Sequence, residues 1–179
     1  GLPGVVAAGV NICAPLTGAC SSSVTVPRDG IARAEIGIHA VDDGYFEALR
    51  IPLRAGRFFE DDERIGAARV VILNETAARR LWPGENPIGK ELAIANGYFA
   101  RGDSTARVVG VVGDVRYGAA EAPAELDAYL PALQRSGSRS MVFVRTSGDP
   151  RGLVEPIREV VRRIDPTLPI FAVRSLDEV

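Results

Sequence analysis

Apolar positions along this chain fall into short runs separated by polar, Gly- and Pro-rich punctuation, the pattern of a protein built from many brief elements. Residues 5–12 (VVAAGVNI) are the first such run and read as a strand; residues 17–30 (TGACSSSVTVPRDG) read as a loop. In residues 31–41, Ile31, Ala34, Ile36, Ile38 and Ala40 fit a half-buried strand. Asp42, Asp43 and Gly44 then open a short helix (YFEALR), with carboxylates near its positive end. Residues 53–67 (LRAGRFFEDDERIGA) read as a polar surface loop.

The middle of the chain carries a sharper unit. Residues 69–73 (RVVIL) are rich in β-branched side chains and read as a buried strand. Asn74 is placed to cap a helix whose Ala77, Ala78, Leu81 and Trp82 recur at helical spacing until Pro83 and Gly84 end it. Residues 91–95 and 107–115 read as further strands, with Gly110 and Gly113 marking a bend or bulge. Residues 128–134 (AYLPALQ) read as a sheet edge, because Pro131 has no N–H to give a neighbour. Residues 141–145 (MVFVR) are a strand, and Asp149 and Pro150 suit the cap and first position of a helix. Along that helix Leu153, Ile157, Val160, Val161 and Ile164 share a face, with Arg158, Glu159, Arg162 and Arg163 largely opposite. Pro156 inside the pattern predicts a bend or a late start. Asp165 and Pro166 stop the helix, and residues 169–173 (PIFAV) read as a strand completing a βαβ-like unit. The fold class is therefore α+β, a mixed α/β domain with small sheets and short helices.

Composition narrows the function classes. The 179 residues, 46% hydrophobic and 25% charged, suffice for one ordinary domain or two small lobes. A net charge of −2, with no basic stretch interleaved with aromatics, gives nucleic acid no electrostatic footprint. No apolar run approaches the roughly 20 residues that span a bilayer. The chain opens GLPGVV, without an initiating Met or a basic leader, and so reads as a piece of a longer protein. Cys13 and Cys20 flank a Pro- and Gly-containing loop; they would pair in an oxidising compartment or stay as small buried thiols in a reducing one.

Candidate chemistry is sparse. Residues 84–90 (GENPIGK) match the spacing of a phosphate-binding loop, but Glu91 stands where a Ser or Thr should bind Mg²⁺. The segment also follows a helix and leads to a strand, the reverse of what a phosphate loop requires. It reads as a helix-to-strand turn. His39 lies in a strand and reads as a packed or surface histidine rather than a base. Ser21, Ser22 and Ser23 lack a nucleophile elbow. Acidic clusters occur at Asp42 and Asp43 and at Glu60, Asp61, Asp62 and Glu63; the second could weakly attract Ca²⁺ but lacks the spacing of a calcium loop and reads as solvated. Asn74, Glu75 and Thr76 form a glycosylation sequon, but Asn74 is better explained as a cap. No catalytic, cofactor-binding or metal-binding residue is assigned. A small enzyme or a ligand-binding module with a site assembled by the fold remains the alternative.

Taken in order, Pro3-Gly4-Val5, GYFEALRIPLRAGRFF, VVILNETAARRLWPGENPIGKEL, VVGVVGDVRYG, AYLPALQ and DPTLPIFAVRSLDE give a pattern covering nearly the whole chain. It resembles the periplasmic core domain of MacB-type permeases, within the FtsX-like group of ABC transporters. The resemblance implies an extracytoplasmic domain set between two membrane helices, one before Gly1 and one after Val179. It implies a porter-like βαβ lobe of residues 1–45 with 138–179, and an inserted small α/β lobe of residues 46–137. It implies a mechanical role without catalysis. ATP hydrolysed by an ABC ATPase domain or subunit would move the membrane helices and repack this domain against a second permease protomer. That motion would drive efflux, lipoprotein release or activation of a periplasmic adaptor. The isolated chain is expected to be monomeric or weakly dimeric, because the membrane helices that concentrate it are missing.

Overall fold

The structure, a computed structural model, describes residues 1–12, 21–25, 33–94, 105–115, 124–134 and 140–176. Cys13 and Cys20 lie outside the described residues, and with them the disulfide expectation. Among the described residues nine strands join one sheet. Its centre is β3 (Arg33–Val41), β5 (Val70–Asn74), β7 (Thr105–Val112) and β8 (Asp127–Pro131). β8 lies between β3, to which it is parallel, and β5, to which it is antiparallel; β5 is parallel to β7.

Two of these strands are each shared by two neighbours along one edge. β7 pairs near its start with β6 (Glu91–Ile94) and near its end with β4 (Leu53–Gly56). β3 pairs near its start with β2 (Ser21–Thr25) and near its end with β1 (Val5–Asn11). Because β2 also pairs with β6, the six strands β2, β6, β7, β5, β8 and β3 close into a ring. β1 continues away from the ring to β9 (Met141–Thr146), antiparallel to it.

The splitting of β3 and β7 produces two cores. The ring core holds Val24, Ile36, Ile38, Val71, Leu73, Leu92, Ile94 and Val108. Ala77, Ala78, Leu81 and Trp82 of α2 (Glu75–Leu81) and its C-cap complete it. Asn74 caps that helix as expected, its Oδ1 accepting from the Ala77 N–H at 2.9 Å. The second core gathers Tyr45, Phe46 and Ala48 of α1 (Asp43–Ala48) with Val41, Ile72, Val112, Tyr129 and Phe143. Strand alternation does the sorting: in β5, Val71 and Leu73 face the ring while Ile72 faces the second core. α1 can lie on β1 only because position 9 is glycine; a Cβ there would collide with the Tyr45 backbone.

Several expectations need correction. The Ser-rich stretch is not all loop: β2 runs through it, and ring closure between β3 and β6 accounts for its pairing. The polar loop after α1 contains β4, held by the end of β7. β8 is not at an edge; Pro131 is its last residue, where a missing N–H interrupts nothing. Asp149 and Pro150 open a 3₁₀ turn (Pro150–Leu153) rather than the helix itself; α3 (Val154–Ile164) starts late, as Pro156 in its first turn leads one to expect. Residues 169–173 form no strand, and all but the half-buried Ile170 are exposed, so the βαβ-like unit stops after its helix. A strand exists only through its partners, and none of the described strands pairs with this segment.

Candidate functional site

Where β3, β8 and β1 meet, a run of buried polar side chains faces the second core. His39 Nε2 lies 3.0 Å from Asp127 Oδ1, and Asn11 Nδ2 lies 3.3 Å from His39 Nδ1. An Asn amide nitrogen only donates, so this geometry leaves Nδ1 as acceptor and puts the ring proton on Nε2, donating to Asp127. The side chains of His39 and Asp127 are 7% and 2% exposed. The imidazole stacks on Tyr129, ring centroids 5.1 Å apart. Gly37 makes room: a Cβ there would come within 2.6 Å of Asp127 Oδ1.

The seam is anchored to the ring through Asn74. Its Oδ1 accepts from the Asp127 N–H at 3.1 Å as well as from Ala77, and its Nδ2 donates to the Glu125 carbonyl at 2.8 Å. One buried amide thus fixes the start of β8, the start of α2 and the end of β5. Asp127 Oδ2 is buried and meets no donor among the described residues. His39 is packed, as expected; its partner 88 positions away was not foreseen, since nothing local links the two.

Other candidate residues resolve into structural roles. Within residues 84–90 four amides are already spent: Glu85 donates to the Trp82 carbonyl, Ile88 to Asn86 Oδ1, Gly89 to the Val108 carbonyl and Lys90 to the Pro87 carbonyl. Lys90 pairs with Glu85 and lies over the Trp82 ring, 5.7 Å from its centre. Gly84 and Gly89 take left-handed φ values of 75° and 83°, as the turn reading requires. The acidic run is only partly solvated. Glu63 is buried, accepting from Arg57 Nη2 at 2.7 Å and from the Glu60 N–H at 3.0 Å. The hydrogen bond to Glu63 is the main cause holding the Arg57 guanidinium above its usual range. Thr76 is bound by Asp114 through its N–H (2.9 Å) and hydroxyl (2.8 Å).

A shallow groove of about 590 Å³ runs beside α1, floored by Phe46, Ile51, Pro52, Phe58 and Phe59 and edged by Arg50 and Arg145. Its lining has no Ser, Cys or His. No helix among the described residues is long and apolar enough to cross a membrane.

Comparison with known proteins places this architecture. The family model described as the MacB-like periplasmic core domain matches residues 5–160. The macrolide export ATP-binding/permease protein MacB of Aggregatibacter actinomycetemcomitans is 30% identical over 81 residues, 45% of this chain and 12% of that protein. The probable syringafactin export ATP-binding/permease protein SyfD of Pseudomonas syringae pv. tomato is 33% identical over 78 residues, 43% of this chain and 11% of that protein. The chain thus matches only about an eighth of the length of these curated relatives. Among solved structures, the periplasmic region of MacB from Actinobacillus actinomycetemcomitans superposes with a TM-score of 0.63 at 20% identity, covering 91% of this chain and 69% of that one. The extracellular domain of the noncanonic ABC-type transporter YknZ from Gram-positive bacteria gives 0.62 at 18% identity, covering 98% and 84%. Sheet, helices and family model agree: the chain belongs to the MacB-like periplasmic core domains, the extracytoplasmic domains of ABC transporter permeases.

Proposed function

We propose that this domain transmits ATP-driven movement of a permease to a periplasmic partner or substrate, without chemistry of its own. The observation that supports it is the sharing of β3 and β7 between two cores, locked by Asn74, Asp127 and His39. Displacement of the β1–β9 end is carried into the ring through covalent strands and buried hydrogen bonds rather than through a soft linker. The division into a lobe of residues 1–45 with 138–179 and an inserted lobe of 46–137 belongs to this proposal, with β2 and β3 crossing from the first into the ring. So do an ABC ATPase acting through membrane helices, a second permease protomer and a periplasmic adaptor as partners.

The test replaces residues 1–179 by a Gly/Ser linker in the parent permease. ATP hydrolysis should persist in membranes. Resistance to a panel of macrolides and lipopeptides, the classes suggested by the two relatives' names, should fall to that of the deletion strain. Resistance that survives the replacement contradicts the proposal.

A further inference from the structure

The turn that ends α1 holds an arginine where glycine is the residue of least cost. The Arg50 N–H donates to the Glu47 carbonyl at 3.1 Å and the Ile51 N–H to the Phe46 carbonyl at 2.8 Å, the paired bonds of a Schellman cap. Such a cap puts its central residue in the left-handed region, and Arg50 has a φ of 56°. A strained residue of this kind persists where its side chain has a use. Arg50 is exposed, and its guanidinium pairs with no acidic side chain among the described residues. It edges the groove beside α1.

That groove pairs an aromatic floor with incompletely neutralised cations. Phe58 stacks on the buried Phe46 with ring centroids 5.0 Å apart, and Phe59 tilts against it at 6.2 Å. Phe58 and Phe59 stay half-buried, so ring surface remains open. The volume, about 590 Å³, lies in the range of small-molecule sites. Four charged side chains line it: Asp43, Glu47, Arg50 and Arg145. Asp43 accepts from the Gly44 N–H at 2.9 Å. Arg145 lies on the side of β9 that carries Phe143 and meets α1. Its Nη2 stands 3.6 Å from Glu47 Oε1, too far for a hydrogen bond, and the Glu47 side chain is 69% exposed. The Arg145 Nε is buried and meets no acceptor among the described residues. Both guanidiniums therefore keep donors to give.

We propose that the groove binds a small amphiphilic carboxylate, its apolar chain on Phe46, Phe58 and Phe59 and its charge answered by Arg50 and Arg145. A guanidinium presents paired donors that match the two oxygens of a carboxylate. Arg50 brings charge without an internal competitor. Glu47 is the exposed group that the ligand displaces from Arg145. A neutral ligand leaves both guanidiniums unanswered. A cationic one finds only Asp43, which already holds an amide, and Glu47, which already faces Arg145. Binding of this kind belongs to the chain itself and holds whether or not the domain transmits motion.

NMR titration of the 179-residue chain with octanoate tests this, with octan-1-ol and octylammonium as neutral and cationic probes of equal chain length. Octanoate should shift the Glu47, Ile51 and Phe58 amides saturably, leaving Val71 and Leu73 of β5 unmoved. It should bind roughly tenfold more tightly than either other probe, the worth of one charge-assisted hydrogen bond. Arg50→Gly removes the charge and the strain together. It should raise Tm by about 2–4 °C and weaken octanoate about fivefold while leaving octan-1-ol unchanged. Glu47→Gln frees Arg145 and should tighten octanoate about threefold. Equal binding of the three probes reduces the groove to an apolar patch and overturns the proposal. So does the absence of saturation with octanoate, undiminished affinity in Arg50→Gly, or affinity in Glu47→Gln no greater than wild type.

Discussion

At Asp42 two requirements of a small fold collide. Its carboxylate accepts from the Val10 N–H at 2.8 Å and the Tyr45 N–H at 3.0 Å, tying β1 to the start of α1. Burial, the larger effect, together with the nearby charge of Asp43 pushes its carboxyl above the ordinary value against those hydrogen bonds. The native state therefore holds this proton more tightly than the unfolded chain. Stability from this group is greatest at low pH and falls as pH climbs from the unfolded value, near 3.8, through the raised native one. Asp42→Asn keeps an acceptor without the charge. Its stability relative to wild type should improve as pH rises across that window, while Asp42→Ala should lose about 1–2 kcal/mol at neutral pH. Urea unfolding of the three proteins from about pH 4 to 7 reads both effects. The seam gives a second residue-scale prediction. His39→Ala strands a buried carboxylate, so a double-mutant cycle with Asp127→Ala should show a coupling of about 1.5–3 kcal/mol by equilibrium unfolding. Additive losses would mean that the 3.0 Å contact contributes nothing. The Asn74 cap was legible in the sequence because it is local; the partnership of Asn11, His39 and Asp127 was not, because strand pairing alone brings them together.

Among the elements, those with a strong local signal were readable and those made by distant pairing were not. The run VVIL and its capped helix appear as β5 and α2, shifted by a residue. β2 and β4 lie in stretches whose composition says loop, and only β3, β6 and β7 make them strands. PIFAV shows the converse: its composition says strand, but a strand without a partner has unsatisfied backbone groups and gains nothing from being extended. Gly110 did signal a bulge, and the β5–β7 register shifts between Val71 and Ile72, where Gly110 enters the pairing. The acidic run after β4 was misread because Glu63 is recognised only through Arg57, six residues earlier. Glu63→Ala should leave Arg57 without its main partner and loosen residues 57–67. Trypsin should then cut after the exposed Arg64 several-fold faster than in wild type, with global stability lowered by about 2 kcal/mol. Equal cutting rates would show that the loop is held by something other than this pair.

For the molecule as a whole, the membership of the family was carried by the order of many weak motifs, none of which specifies a site. The fold explains why. The residues that matter are those that tie two cores into one body, and they are spread over β1, β3, β5 and β8 rather than collected in a loop. On the proposed reading such a body would move as a unit, and its function would be visible only against what it moves relative to. The most direct measurement is therefore a pair of spin-label distances in the parent permease, in a background where Cys13 and Cys20 are serine. Labels at Ile65 and Val142, both exposed on the described surface, report the distance within one domain. A label at Ile65 alone reports the distance between two copies. Between nucleotide-free and ATP-trapped states the first distance should stay constant and the second should change by several ångströms. An inter-copy distance that ignores nucleotide would contradict the account.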